Sequence, residues 1–108
     1  MPYQIEFAAS VESQLEALGA HERASTLAAI EERLLHQPLV ETRNRKLLRP
    51  NPLAPWELRV GPVRVFYEVK PTGAGQPERQ DLLGIVYVLA VGRKEGNVLR
   101  IGGEKVQL

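Results

Sequence analysis

The chain has no cysteine in its 108 residues, which excludes a disulfide framework, a thiol nucleophile and the usual structural zinc sites. That absence fits a reducing compartment, and the cytoplasm is the expected location. The N-terminal run Met1 to Phe7 lacks a basic start and an apolar signal core, and no stretch approaches the roughly 20 apolar residues of a membrane span. Secretion and a membrane partner are therefore not expected. The two histidines, His21 and His36, lie at opposite ends of one helical pattern and cannot converge on a metal. Ser10, Ser13 and Ser25 lack a nucleophile-elbow context, and no glycine motif joins a strand to a helix as phosphate-binding loops require. Hydrolase triads, nucleotide-binding loops and cofactors thus have no support in the sequence.

What is present is an ordinary globular composition, 44% apolar and 25% charged, of a length that suits a single domain over 1–108. The net charge of +1 conceals a polarity. Residues 1–37 carry six acidic and two basic side chains, whereas residues 38–108 carry twelve basic and seven acidic ones. Such a distribution creates a local field attractive to phosphates even when the total is near zero.

Tyr3, Ile5 and Phe7 alternate with Gln4 and Glu6, the period of a strand with one buried face. Ser10 is the expected N-cap of a helix carrying Val11, Leu15 and Leu18 on one stripe and ending at Gly19. A second helix begins near His21, presents Leu27, Ile30 and Leu34, and stops before Pro38. The short connection predicts an antiparallel helical hairpin. Residues 38–55, with four prolines and the basic cluster Arg43-Asn44-Arg45-Lys46, read as a long irregular loop.

Trp56, Leu58 and Val60 alternate with Glu57 and Arg59, Gly61-Pro62 supplies a tight turn, and Val63, Val65, Tyr67 and Val69 alternate with Arg64, Phe66 and Glu68. Residues 70–81 hold two glycines and two prolines and read as an exposed loop. Leu82 to Val91 is apolar on both alternating faces, which suits a central strand, although periodicity alone does not separate it from a buried helix. Val98 to Ile101 reads as a short edge strand, broken by Gly102-Gly103. The fold class is α+β: a strand and a helical hairpin packed on an antiparallel sheet of about four strands, in the order β-α-α-β-β-β, with room for a further C-terminal strand.

The pattern leaves one basic constellation. Arg59 and Arg64 lie on neighbouring strands, opposite the face of Trp56, Leu58, Val63 and Val65, and Arg93 and Lys94 follow the long strand. On convergence of these four the guanidinium groups would hold phosphate oxygens in bidentate forks and stabilise the charge of a pentacovalent phosphate during RNA cleavage. The competing reading is a lattice of cross-strand ion pairs in which Arg59 and Arg64 are neutralised by Glu57 and Glu68.

The run Trp56-Glu57-Leu58-Arg59-Val60-Gly61-Pro62-Val63-Arg64-Val65-Phe66-Tyr67-Glu68-Val69, with Val88-Leu89-Ala90-Val91-Gly92-Arg93-Lys94-Glu95-Gly96-Asn97 later, resembles the RelE/ParE superfamily of bacterial toxin-antitoxin toxins. The resemblance extends from the Tyr3 strand to about Ile101. It implies a small toxin held inactive by a cognate antitoxin that wraps it. In RelE-like members it implies a metal-independent mRNA endonuclease that acts on the ribosome and inhibits translation, and in ParE-like members an inhibitor of DNA gyrase. A catalytically inactive module that binds an antitoxin is the third alternative.

On this resemblance Arg64 matches the strand arginine that stabilises the scissile phosphate. Lys94 stands where members carry an arginine general acid or phosphate clamp, retaining the charge without the fork. Arg59 belongs to the same catalytic face, and Glu57 is the candidate proton acceptor there. Arg43, Arg45, Lys46, Arg93 and Arg100 are expected along the RNA path. Arg100 stands near the place of a family tyrosine, and Glu57 and Pro55 near the places of family lysines, so those functions do not carry over.

Overall fold

Residues 2–72 and 82–108 are described by the computed structural model. Their elements are β1 (Gln4–Phe7), α1 (Val11–Glu16), α2 (Ala20–Leu34), β2 (Arg45–Leu47), β3 (Trp56–Val60), β4 (Val63–Pro71), β5 (Gly84–Glu95), β6 (Val98–Ile101) and β7 (Glu104–Val106). The class is α+β, with two helices against an open sheet in the order β2-β3-β4-β5-β6-β7, to which β1 is added beside β5. Of the glycine- and proline-rich loop expected over 70–81, Lys70 and Pro71 belong instead to β4, and residues 73–81 lie outside the described residues.

Period-2 alternation decides which face of the sheet meets the helices. Trp56, Leu58, Val63, Val65, Tyr67, Val86, Val88 and Val91 pack with Val11, Leu15, Leu18, Ile30 and Leu34 in one core. Each fully buried Val, Leu or Ile contributes roughly 1.5–3 kcal/mol through the apolar surface it removes from water. Phe66, Ala54 and Ala90 form a smaller cluster on the opposite face, joined by Leu48, Leu53, Leu89, Leu99 and Ile101. Both faces of β5 are therefore covered, as its continuous apolar run requires.

β5 is long enough to serve two strands along one edge. Residues 85–88 pair with β1, and residues 92–95 pair with β6. Between them the Val91 amide donates to Gln14 Oε1 at 2.8 Å, so a side chain of α1 satisfies the backbone where no strand reaches.

Five expectations about the elements need correction. The sheet has seven strands and not about four, because β2 extends one edge and β6 and β7 the other. The sheet is not wholly antiparallel, because β1 runs parallel to β5; the two helices between β1 and the rest of the sheet carry the chain back to the end from which it started. Ser10 does not cap α1 with its side chain, since its backbone is helical (φ −71°, ψ −16°) and not extended as a capping residue's is. The Val11 amide instead donates to Ala8 O at 3.0 Å. The 38–55 segment contains β2, an edge strand paired to β3, and is not irregular throughout. Finally, Gly102-Gly103 does not break the sheet but turns it: both residues have positive φ (62° and 86°), the combination of a two-residue hairpin, and β7 returns along β6.

Tyr67 ties the loop after α2 to the core. Its ring stacks on Trp56 with centroids 6.0 Å apart, and its hydroxyl donates to Pro38 O at 2.6 Å. Burial pushes its pKa up, with Arg45 acting weakly in the opposite sense.

Candidate functional site

The β3–β4 hairpin brings the candidate residues together. Gly61 supplies the positive φ (58°) at the first position of its two-residue turn, and Pro62 follows with the negative φ that its ring fixes. This turn sets Arg59 directly across from Arg64, and Glu57 across from Phe66. Arg59, Arg64 and Glu57 thus share the face turned away from the helices. β5 continues the arrangement: Gly92 is the register partner of Arg64, and Lys94 lies two residues further along the same face. On the other side Lys46 of β2 is the partner of Glu57 and joins the face at its edge.

Glu57 organises the centre. Its Oε1 accepts from Arg59 Nε at 2.7 Å and stands 4.0 Å from Arg64 Nε. The Glu57 side chain is 9% exposed, the Arg64 side chain 14% and the Arg59 side chain 44%. Arg64 Nη1 donates to the backbone oxygens of Gly61 at 2.6 Å and Val63 at 3.2 Å, which holds the guanidinium against the hairpin. Its Nε is buried and has no hydrogen-bond partner among the described residues. Burial lowers the Arg64 pKa, Glu57 acts against that shift and Arg59 adds to it. The ion-pair lattice is therefore partly realised: Glu57 engages both arginines, whereas Glu68 pairs with Lys70 at 3.7 Å.

Arg64, Lys94 and Glu57 line one cavity of about 360 Å³, with Asn97, Leu99, Val106, Gln107 and Leu108 completing its wall. A volume of this size stands at the lower end for small-ligand sites. Its chemistry is that of an anion seat, two cations against one carboxylate, with primary amides at the side.

Three expected RNA contacts fall elsewhere. Arg93 does not converge with Arg59, Arg64 and Lys94, because its register partner is Val63, on the helix-facing side. There Arg93 Nε donates to Glu22 Oε1 at 3.1 Å, and Nη1 to Glu95 Oε1 at 2.5 Å. These hydrogen bonds, Glu22's first, raise its pKa. Arg100 is the partner of Arg93 and of Lys105, so it shares that side, where its Nη1 donates to Gly103 O at 3.3 Å. Arg45 is the partner of Leu58 and is spent on structure, with Nη1 donating to Arg33 O at 2.6 Å and Nε to Val40 O at 3.0 Å. Arg43 lies exposed in the segment before β2.

Sequence reasoning missed Asn97, Leu99 and the Val106–Leu108 wall. The available signal was Gly102-Gly103 between two short runs of strand character, a two-residue hairpin pattern that returns the chain to the edge beside Lys94. No protein-family model matches the chain, and no curated protein matches it.

Proposed function

We propose that this chain is a RelE/ParE-like toxin whose basic sheet face binds messenger RNA on the ribosome and cleaves it by attack of a 2′-hydroxyl on the adjacent phosphorus. The observation that carries the reading is the presence of Arg64, Lys94 and Glu57 on one cavity, flanked by Arg59. Attack forms a 2′,3′-cyclic phosphate and releases the 5′-oxygen of the next nucleotide. The 2′-hydroxyl proton must be accepted, and the leaving oxygen must receive one. Arg64 and Arg59 stabilise the charge on phosphorus, the Lys94 ammonium donates to the leaving oxygen, and Glu57 is the cavity's side-chain carboxylate for the 2′-hydroxyl proton. No metal or cofactor is required by this scheme.

The reading carries a cytoplasmic setting and a cognate antitoxin as partner. An exposed apolar surface that would suit such a partner lies where Phe7 and Leu27, 46% and 40% exposed, line two hollows, with Ile5, Leu15 and Ile30 alongside. No described helix is long and apolar enough to cross a membrane.

A second reading is favoured by the pairing itself. Arg59 is already held by Glu57 and Arg64 by two backbone oxygens, as in a toxin-fold module that binds an antitoxin and cuts nothing. Primer extension on a defined mRNA in a purified translation reaction separates the two. New ribosome-dependent 3′ ends that vanish with Arg64→Ala are expected under the nuclease reading. Intact message with normal translation overturns it and leaves the inactive module and a ParE-like gyrase inhibitor, which supercoiling assays with purified gyrase then divide.

A further inference from the structure

The wall that β6, β7 and the residues after them add to the cavity differs in chemistry from its floor. The floor is ionic, Arg64 and Lys94 with Glu57. The wall is apolar at Leu99, Val106 and Leu108 and carries primary amides at Asn97 and Gln107. Two backbone devices hold it there. Lys94 and Leu99 are register partners around the Gly96 turn, and Leu99 is in turn the partner of Val106 across the Gly102-Gly103 turn. Both Leu99 and Val106 therefore stand in rank with Lys94 on the cavity side of the sheet.

A phosphate alone uses only the floor. Apolar side chains beside an anion seat bind a flat, weakly hydrated group attached to that anion, and an amide offers both a donor and an acceptor to its edge. We propose that this wall is a nucleobase seat: Leu99, Val106 and Leu108 pack on the face of one unstacked base, and Asn97 and Gln107 read its edge while Arg64 and Lys94 hold the neighbouring phosphate. The cavity of about 360 Å³ has room for one nucleotide and not for a duplex, so the substrate class is single-stranded RNA with a base preference at one position. The inference rests on the RNA-binding reading of the same cavity.

The test is equilibrium binding of five probes to the full chain: the four homopolymeric RNA tetranucleotides and an abasic ribose-phosphate tetramer. Base-bearing tetramers are expected to bind roughly tenfold more tightly than the abasic one, the low end of the range for a base on an aromatic ring, because this wall is aliphatic. Gln107→Ala and Asn97→Ala should compress the differences among the four bases. Val106→Ser should bring all four toward the abasic value. Gln107 is exposed, so its variant keeps the fold and the comparison stands even where Val106→Ser loosens β7. Equal affinity for abasic and base-bearing tetramers overturns the base seat and leaves the phosphate floor standing. Failure of the wild-type chain to bind any of the five overturns the seat, whereas the ribosome-dependent nuclease reading stands or falls with the primer extension.

Discussion

Glu57 Oε1 lies 2.7 Å from Arg59 Nε and 4.0 Å from Arg64 Nε, so one buried carboxylate stands between two guanidiniums that face each other across a hairpin. Like charges directly opposed on neighbouring strands repel. Glu57 offsets that repulsion and fixes the direction of Arg59 through its hydrogen bond, whereas Arg64 is held by the backbone oxygens of the turn.

Replacing Glu57 by Ala should therefore cost about 2 kcal/mol of stability in urea melts, less than a fully buried pair would, because Arg59 is partly solvated and its share is screened. Glu57→Gln should cost less, since the amide oxygen still accepts from Arg59. The double variant Glu57→Ala/Arg59→Ala should lose less than the sum of the two single losses, the signature of a direct interaction. Under the nuclease reading Glu57→Gln binds RNA more tightly, having one negative charge fewer, yet cuts it more slowly. If cleavage stays at the wild-type rate, Glu57 is a positioning residue and another group takes the proton.

Tyr67 makes stability sensitive to alkali. Its pKa is raised by burial in the folded state, whereas the unfolded chain titrates near the ordinary value of about 10. Its contribution is fully present below that unfolded value and is lost as pH rises toward the folded one, because only the unfolded state gives up the proton in that interval. Denaturation midpoints measured from pH 8 to 11 should fall above about pH 10. Tyr67→Phe should flatten that limb and, by leaving Pro38 O without its donor, cost about 1 kcal/mol at pH 7. An unchanged alkaline limb in Tyr67→Phe would mean that other groups dominate it.

The β3–β4 hairpin and its two faces were legible because strict alternation on both sides of Gly61-Pro62 admits only one register without turning the apolar set to solvent. That register alone places Arg59 opposite Arg64. The face of Arg93 was not legible for the same reason in reverse: it depends on the phase of β5, and a shift of register between Phe66 and Tyr67, which leaves Leu89 unpaired between Val88 and Ala90, changes that phase relative to β4. An apolar run with no alternation of its own gives no sign of such a shift. β2 was hidden by prolines on both sides of three residues whose pairing is decided by β3, and β7 by a double glycine that serves equally to end a strand or to turn it. The parallel pairing of β1 leaves no mark in local sequence, since pairing direction is a property of where the helices return the chain.

Gly92 is the position at which the cavity wall depends on the sheet. A Cβ there would stand 2.5 Å from Arg100 O and 2.7 Å from Ile101 Cγ1, both on β6. Backbone cannot yield as a flexible side chain does, so Gly92→Ala should pry β6 from β5 and carry β7 with it. We expect a loss of roughly 2 kcal/mol, typical of overpacking, and amide exchange that quickens in β6 and β7 while β3 and β4 remain protected. Uniform loss of protection over all strands would show instead that the hairpin is integral to the whole sheet.

Arg64→Ala and Val86→Asp separate site from scaffold. Val86 is fully buried on β5 between β1 and β4, where an aspartate has neither water nor a cation to meet its charge. Such a burial costs on the order of 4 kcal/mol or more, enough to unfold a domain of ordinary stability, and circular dichroism should show a largely unfolded chain. Arg64 differs in kind. Its guanidinium is desolvated, its Nε has no hydrogen-bond partner among the described residues, and Arg59 opposes it across the hairpin, so its removal relieves one cost while forfeiting two hydrogen bonds to the turn. The net change in stability should stay within about 1 kcal/mol, which under the nuclease reading is small beside the loss of RNA binding when the central cation of the cavity is gone. Should Arg64→Ala melt as early as Val86→Asp, the arginine is a structural strut of the hairpin, and the phosphate-binding role passes to Lys94 and Arg59.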